Sequence, residues 1–335
     1  MARSAKGLSR AIQNAAAFWG AAMSPVLAPV LAAAKPSAAG RVTEVHDFGS
    51  NPGALRMLAY APAKRLRAGS PLIVVLHGCG QDAEMFARNA GWIALAEQIG
   101  AALVLPEQTA KNSTGRCFNW FHPGDVRRGG GEAMSIRQMV SAAIYRFSSD
   151  PRRVFIVGLS AGGAMALAML AAYPTVFAAG AVVAGMPLGA ARGGATALLR
   201  MRHADRLSSR ESLAEAVRRA APKTIKPRLW PRLSIWHGGN DKIIDPGNGE
   251  IIAAQWSAVN GLAEAPTLES FPQPGVRRRI WKTPRRSVVE FWTLSEMGHG
   301  FPIDAAAPGG GREGFGVINA HLPAARHIAA FWGIA

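Results

Sequence analysis

Residues 154 to 172 constrain the fold more than any other stretch of the chain. Val154-Phe155-Ile156-Val157 runs straight into Gly158-Leu159-Ser160-Ala161-Gly162-Gly163, and an unbroken helix-forming run from Ala164 to Ala172 follows. A short apolar run bounded by glycine reads as a strand, and the Ala/Leu/Met-rich run reads as a helix. The segment is therefore strand, sharp turn, helix. Its glycines allow two backbone segments to approach where a Cβ would collide. A strand with no polar alternation must be covered on both faces, which calls for a mostly parallel sheet between layers of helix.

The rest of the chain after residue 40 repeats this alternation. Strands are predicted at Val42–Phe48, Leu55–Tyr60, Leu72–Leu76, Ala102–Leu105, Val154–Val157, Ala181–Val183, Leu233–Trp236 and Val288–Leu294. Helices are predicted at Met85–Gly100, Ser135–Phe147, Ala161–Tyr173, Gly249–Val259 and Asn319–Trp332. With 335 residues, 49% hydrophobic and 18% charged, residues 41–335 can bury a large core as one domain, because α/β sheets exceed the prior of ~150 residues per domain. Residues 186–231 interrupt the alternation with a basic, helix-prone segment, read either as a cap over substrate or as a solvated excursion. Residues 1–40 are Ala-rich and Pro-dotted, with Arg3, Lys6 and Arg10 ahead of an apolar stretch, and read either as an export leader or as a disordered arm. No other segment approaches the ~18 uninterrupted apolar residues of a membrane span.

Chemistry enters with Ser160. A serine on a sharp strand-to-helix turn projects its hydroxyl above the sheet at a helix N-terminus, where backbone N–H groups and the helix dipole favour developing negative charge. This is the arrangement of a nucleophile in the α/β-hydrolase fold, which places the acid and the base later in the chain. Asp241 is the first carboxylate beyond the strand Leu233–Trp236, and its task is to orient an imidazole and stabilise the imidazolium. Asp245 competes with it and reads as a turn former before Pro246. His299, between glycines after the strand ending at Leu294, completes the order Ser160, Asp241, His299. The strand Leu72–Leu76 ends in His77-Gly78-Cys79, where this fold offers a main-chain N–H to the oxyanion, so Cys79 and Ala161 are the oxyanion-hole candidates. His77 reads as a ring that orders its loop. His46, His122, His203, His237, His321 and His327 each lack part of the base's context.

Several other chemistries lack a motif: there is no HExxH, CxxC or GxxxxGK[ST] pattern, and no metal or cofactor is called for. Cys79 and Cys117 are the two cysteines. They can form at most one bridge, and their number fits a disulfide or two thiols equally well. Lys and Arg outnumber Asp and Glu 38 to 21, for a net charge of +17. Such a field attracts anionic surfaces, which leaves open a basic polymer- or envelope-binding protein with a vestigial hydrolase site. The basic clusters lack the aromatic interleaving of a nucleic-acid platform, so no specific nucleic acid is expected. Oligomeric state is not legible.

Taken together, several motifs resemble the poly(3-hydroxybutyrate) depolymerase-type esterase family, which includes feruloyl and acetyl xylan esterase-like members. They are His77-Gly78-Cys79-Gly80-Gln81, Pro106-Glu107-Gln108, Cys117-Phe118-Asn119-Trp120-Phe121, Asp150-Pro151-Arg152-Arg153-Val154, Gly158-Leu159-Ser160-Ala161-Gly162-Gly163, His237-Gly238 with Asp241, the Pro246/Asn248 turn and Gly298-His299. The resemblance spans nearly everything after residue 41. It implies an α/β-hydrolase that cleaves carboxylic esters through an acyl-enzyme, acting on short-chain esters or hydroxyalkanoate oligomers and polymers, or on esterified polysaccharides. It also implies a Cys79–Cys117 disulfide, Trp120 against the acyl chain, and an extracellular or periplasmic protein, with a cytoplasmic one as the alternative. The sequence departs from the family pattern at Phe118, where tryptophan is usual, at Val183-Ala184-Gly185, which replaces a more polar segment, and in the loop Gly298–Pro302, which lacks the usual tryptophan. These departures put the acyl group in doubt and leave the triad positions untouched.

Overall fold

A computed structural model describes residues 40–63, 66–224 and 230–335; the leader-like residues 1–39 lie outside the described residues. The strands are β1 (Val42–Val45), β2 (Arg56–Tyr60), β3 (Leu72–Leu76), β4 (Ala102–Glu107), β5 (Val154–Leu159), β6 (Ala179–Val183), β7 (Arg232–Gly238), β8 (Leu268–Gln273), β9 (Val276–Thr283), β10 (Arg286–Leu294), β11 (Phe301–Ile303) and β12 (Val317–Asn319). The helices are α1 (Ala83–Asn89), α2 (Trp92–Ile99), α3 (Pro123–Val126), α4 (Gly131–Phe147), α5 (Ala161–Ala172), α6 (Gly194–Arg202), α7 (Arg210–Ala220), α8 (Gly247–Val259) and α9 (Ala324–Trp332).

Ten strands form one sheet in the order β1-β2-β4-β3-β5-β6-β7-β10-β9-β8. The run β4-β3-β5-β6-β7-β10 is parallel throughout, and antiparallel strands close both edges. Each central strand serves two cores because its side chains alternate between faces. Leu72, Val74 and Leu76 enter the core shared with α4, α5 and α8, whereas Ile73 and Val75 enter the one shared with α1, α2 and α9. α5 is apolar all round and buried at every position, as befits a helix enclosed by the sheet and its neighbours. Burial of each Val, Leu or Ile in these cores contributes about 1.5–3 kcal/mol.

The sheet exceeds the expected strand set at its β8–β9 edge. Pro272 interrupts the apolar alternation of β8, and the register shifts between Ser270 and Gln273, since proline cannot donate to a ladder. The signal that remained was Pro274-Gly275 between two strand-like runs, with Gly275 at φ 71°. The helix expected at Met85–Gly100 is two helices. Gly91 breaks it at φ 81°, where a side chain would crowd the carbonyl oxygen of Gly309, while Asp82 caps α1 by accepting from the Met85 N–H at 2.8 Å. The helix expected from Asn319 begins only after Pro323, because β12 runs to Asn319.

The interruption expected at 186–231 follows β6, and its described part carries α6 and α7. It is tied to the β7–α8 connection rather than standing away from the fold. The Asp245 N–H donates to the Met201 carbonyl at 2.7 Å, the Ala204 N–H donates to Asp245 Oδ2 at 3.0 Å, and Asn248 Nδ2 donates to the Arg200 carbonyl at 3.0 Å.

Candidate active site

All candidate groups sit at the carboxyl ends of the parallel strands, the edge at which open α/β sheets present ligand sites. Ser160 follows β5 at φ 57°, ψ −118°, a conformation that costs a non-glycine residue about 1–3 kcal/mol and tends to persist where surrounding structure enforces it. The enforcement is visible. A Cβ on Gly158 would collide with the Gly162 carbonyl, and one on Gly162 would collide with the carbonyl oxygens of Leu76 and His77. The Ser160 N–H is held by the Val183 carbonyl at 2.9 Å. The turn is thereby wedged between the ends of β3 and β6, and the side chain stays largely buried at 9% exposure.

Asp241 and His299 are brought together from the loops after β7 and β10, which pair in parallel from Val289–Leu233 to Leu294–Gly238. Past the strands, the Gly239 N–H donates to the Leu294 carbonyl at 2.7 Å and the Asn240 N–H to the Met297 carbonyl at 3.0 Å, which stitches the two loops together. His299 Nδ1 lies 2.6 Å from Asp241 Oδ2. The other carboxylate oxygen, Oδ1, accepts the Ile243 and Ile244 N–H groups at 2.8 and 2.9 Å. Burial works to raise this carboxyl, but hydrogen bonds from His237 and His299 and the Ile244 amide outweigh it and hold Asp241 well below the usual carboxylate range.

His237 is the residue that sequence reasoning missed. It is fully buried, and its Nε2 lies 3.3 Å from Asp241 Oδ2 and 3.2 Å from the Ile244 carbonyl. The available signal was its position at the end of β7, four residues before Asp241. Asp245 instead binds the N–H groups of Ala204 and Gly247, which agrees with its reading as a turn former.

The loop after β3 lies against the elbow, with Gly78 beside Leu159. Among the described residues, the N–H groups of Cys79 and Ala161 have no protein hydrogen-bond partner. Cys79 and Cys117 are joined in a disulfide with Cα atoms 4.2 Å apart. His77 Nδ1 is 2.7 Å from the Gly78 carbonyl, and Nε2 accepts the Gln108 N–H at 3.0 Å; burial pushes this imidazole down to about 4. Gln81 Oε1 accepts the Gly78 N–H at 2.7 Å, while its amide donates to the Phe315 carbonyl at 2.5 Å. Behind this loop, Glu132 is wholly buried and accepts Gln108 Nε2 at 2.6 Å, Asn119 Nδ2 at 2.8 Å and the Asn119 N–H at 2.9 Å. Burial drives its carboxyl up to about 8 against the pull of those donors.

Trp120 is half-buried and packs with Ala190, Met201 and Ile243 against the cluster Ala164, Met186 and Ile244. Ala164 is one helical turn beyond Ser160, to whose carbonyl its N–H donates at 3.0 Å. An apolar wall therefore starts one turn from the candidate nucleophile and includes two methionines of the 186–224 segment. Phe118, which stands where the family usually has tryptophan, is fully buried and lies against His77 with ring centroids 4.9 Å apart.

The esterase PHB depolymerase family profile matches residues 55–270. The chain belongs to that family. Poly(3-hydroxyalkanoate) depolymerase C of Paucimonas lemoignei is 35% identical over 311 residues, 92% of this chain and 73% of that protein. An acetylxylan esterase of Coprinopsis cinerea is 31% identical over 79% of this chain and 70% of its own length. Among solved structures, an acetyl xylan esterase from Aspergillus awamori superposes with a TM-score of 0.75, at 23% identity, over 88% of this chain and 100% of its own, which establishes the α/β-hydrolase fold. Membership makes this chain a serine esterase that hydrolyses carboxylic esters. Among the described residues, no helix is long and apolar enough to cross a membrane.

Proposed function

We propose that this family member hydrolyses hydroxyalkanoate esters, as oligomers or polymer ends, through an acyl-enzyme on Ser160. The observation that carries the reading is the 2.6 Å bond between His299 Nδ1 and a carboxylate whose other oxygen is held by two amides. With Nδ1–H committed to Asp241, the base's other nitrogen, Nε2, takes the Ser160 proton as Oγ attacks the ester carbonyl. The Cys79 and Ala161 N–H groups receive the oxyanion, in keeping with their free donors. His299 then protonates the leaving alcohol, and water repeats the sequence to release the acid.

Trp120, Met186 and Met201 form the wall for an aliphatic acyl group, and the 186–231 segment acts as a partial cap through those methionines. Similarity to the hydroxyalkanoate depolymerase of Paucimonas lemoignei, 35% identical over 92% of this chain, favours hydroxyalkanoates over a feruloyl ester. The disulfide supports maturation in an oxidising compartment, extracellular or periplasmic, with residues 1–40 as the export leader.

A turnover panel of 3-hydroxybutyrate oligomers, short-chain nitrophenyl esters, acetylated xylan and methyl ferulate tests the substrate. The expected order places hydroxybutyrate oligomers first, and Trp120→Ala should raise KM for them about tenfold, the order expected for losing part of an apolar contact. A preference for acetylated xylan or methyl ferulate would overturn this substrate while leaving the mechanism.

A further inference from the structure

The geometry points to His237 as a positioning residue for the catalytic carboxylate, a second imidazole that shares Asp241 Oδ2 with His299. This rests on Asp241 and His299 being the acid and base proposed above. The ring is buried at the end of β7, with Nε2 3.3 Å from Asp241 Oδ2 and 3.2 Å from the Ile244 carbonyl. A main-chain carbonyl only accepts hydrogen bonds, so Nε2 must carry the proton, and its N–H is split between that carbonyl and the carboxylate. Nδ1 is then the lone-pair nitrogen, and it is buried without a hydrogen-bond partner. It faces Gly249 in the first turn of α8, where a Cβ would lie 3.1 Å from Nδ1 and 2.7 Å from Phe291 Cζ.

Space for this ring is provided by the glycine. Gly249 has no positive φ, so its backbone needs no special freedom, and the missing side chain is what lets Phe291 and the imidazole both close on the first turn of α8. The titratable groups facing this side of the site are Asp241, which also holds His299, and Asp245, which accepts the Ala204 and Gly247 amides and pairs with Arg206 at 3.3 Å. His237 therefore acts as an oriented N–H donor. With it, Asp241 receives donors on both oxygens: two amides on Oδ1 and two imidazoles on Oδ2. The carboxylate is fixed in plane and its charge is partly neutralised, so it orients His299 without drawing the proton off it.

The test compares wild type, His237→Gln and His237→Phe, with active sites counted by fluorophosphonate labelling of Ser160. The phenyl ring fills the space but cannot donate, whereas the glutamine amide can reach toward Oδ2. His237→Phe should lose about ten- to a hundredfold in kcat per labelled site, the range set by one hydrogen bond to a charged group. KM should stay near wild type, and the acid limb of kcat/KM should move toward higher pH because the carboxylate, deprived of a donor, holds the imidazolium proton more strongly. His237→Gln should recover most of both. A purely structural role would lower the melting temperature and the number of labelled sites without moving the acid limb, so a wild-type kcat and limb in His237→Phe, or a glutamine variant no better than phenylalanine, overturns the inference. If His237→Phe does not fold, Gly249→Ala is read in its place, and a wild-type profile there counts against the proposal. Turnover that survives Ser160→Ala and His299→Ala would instead sink the underlying triad, a separate outcome.

Discussion

The same dipeptide, His-Gly, follows β3 and closes β7, and the two ends do opposite things with it. At β3 the imidazole of His77 bonds only to main chain, the Gly78 carbonyl and the Gln108 amide, inside a loop fastened by the Cys79–Cys117 disulfide. At β7 the imidazole of His237 reaches a carboxylate that also holds His299. Burial dominates the first region and pushes His77 down and Glu132 up, both toward their neutral forms. In the second, donors outweigh burial and keep Asp241 ionised. The loop after β3 is thus a frame of buried groups held toward neutrality, and the end of β7 is a charged centre kept ionised although buried.

Replacing the charge at the second centre should have the largest effect. Asp241→Asn should lower kcat by about 10³–10⁴-fold, since the carboxamide misdirects the His299 tautomer, with little change in folding. Steady-state kinetics beside a thermal melt checks this, and a drop smaller than tenfold would mean that the charge is not what this end of the sheet supplies.

The frame should respond in stability before it responds in chemistry. Cys79→Ser with Cys117→Ser opens a link spanning 38 positions and should cost about 2–4 kcal/mol, measured by denaturant unfolding. Loss of activity should follow from a mobile Cys79 amide and be smaller than that of Asp241→Asn. Equal stability with and without the bridge would contradict the division of labour.

The pH dependence of the frame tests the same contrast. His77 has a folded value near 4 against 6.5 unfolded; between those values the unfolded chain binds the extra proton, so stability present above about 6.5 is lost as pH falls toward 4. Glu132 runs the other way. Its folded value near 8 exceeds 4.5 unfolded, so the folded chain holds the extra proton, and stability present below about 4.5 is lost as pH rises through 8. Glu132→Gln should flatten the alkaline decline in unfolding free energy between those limits, and an unchanged slope would show that Glu132 stays ionised on its donors.

How much of this was legible depended on what kind of interaction each residue makes. The parallel strands announced themselves because strands buried on both faces are continuously apolar, and Ser160, Asp241 and His299 each lie just beyond such a strand. His237 looked like one more strand-end histidine, because its partner is four residues along a turn whose path depends on the Ile243 and Ile244 amides. Glu132 was equally hidden, since nothing near it in sequence marks a carboxylate closed over by Gln108 and Asn119 from other elements. The β8–β9 hairpin was obscured by Pro272, and the packing of Phe118 on His77 joins two loops that are far apart in sequence.

Covalent capture of Ser160 tests the whole arrangement most directly. Wild-type protein exposed to a fluorophosphonate and digested for mass spectrometry should carry a single adduct on the peptide containing Ser160, with ester turnover lost in proportion to labelling and no adduct in Ser160→Ala. An unlabelled Ser160 in protein that still turns over ester, or full turnover by Ser160→Ala, would contradict it.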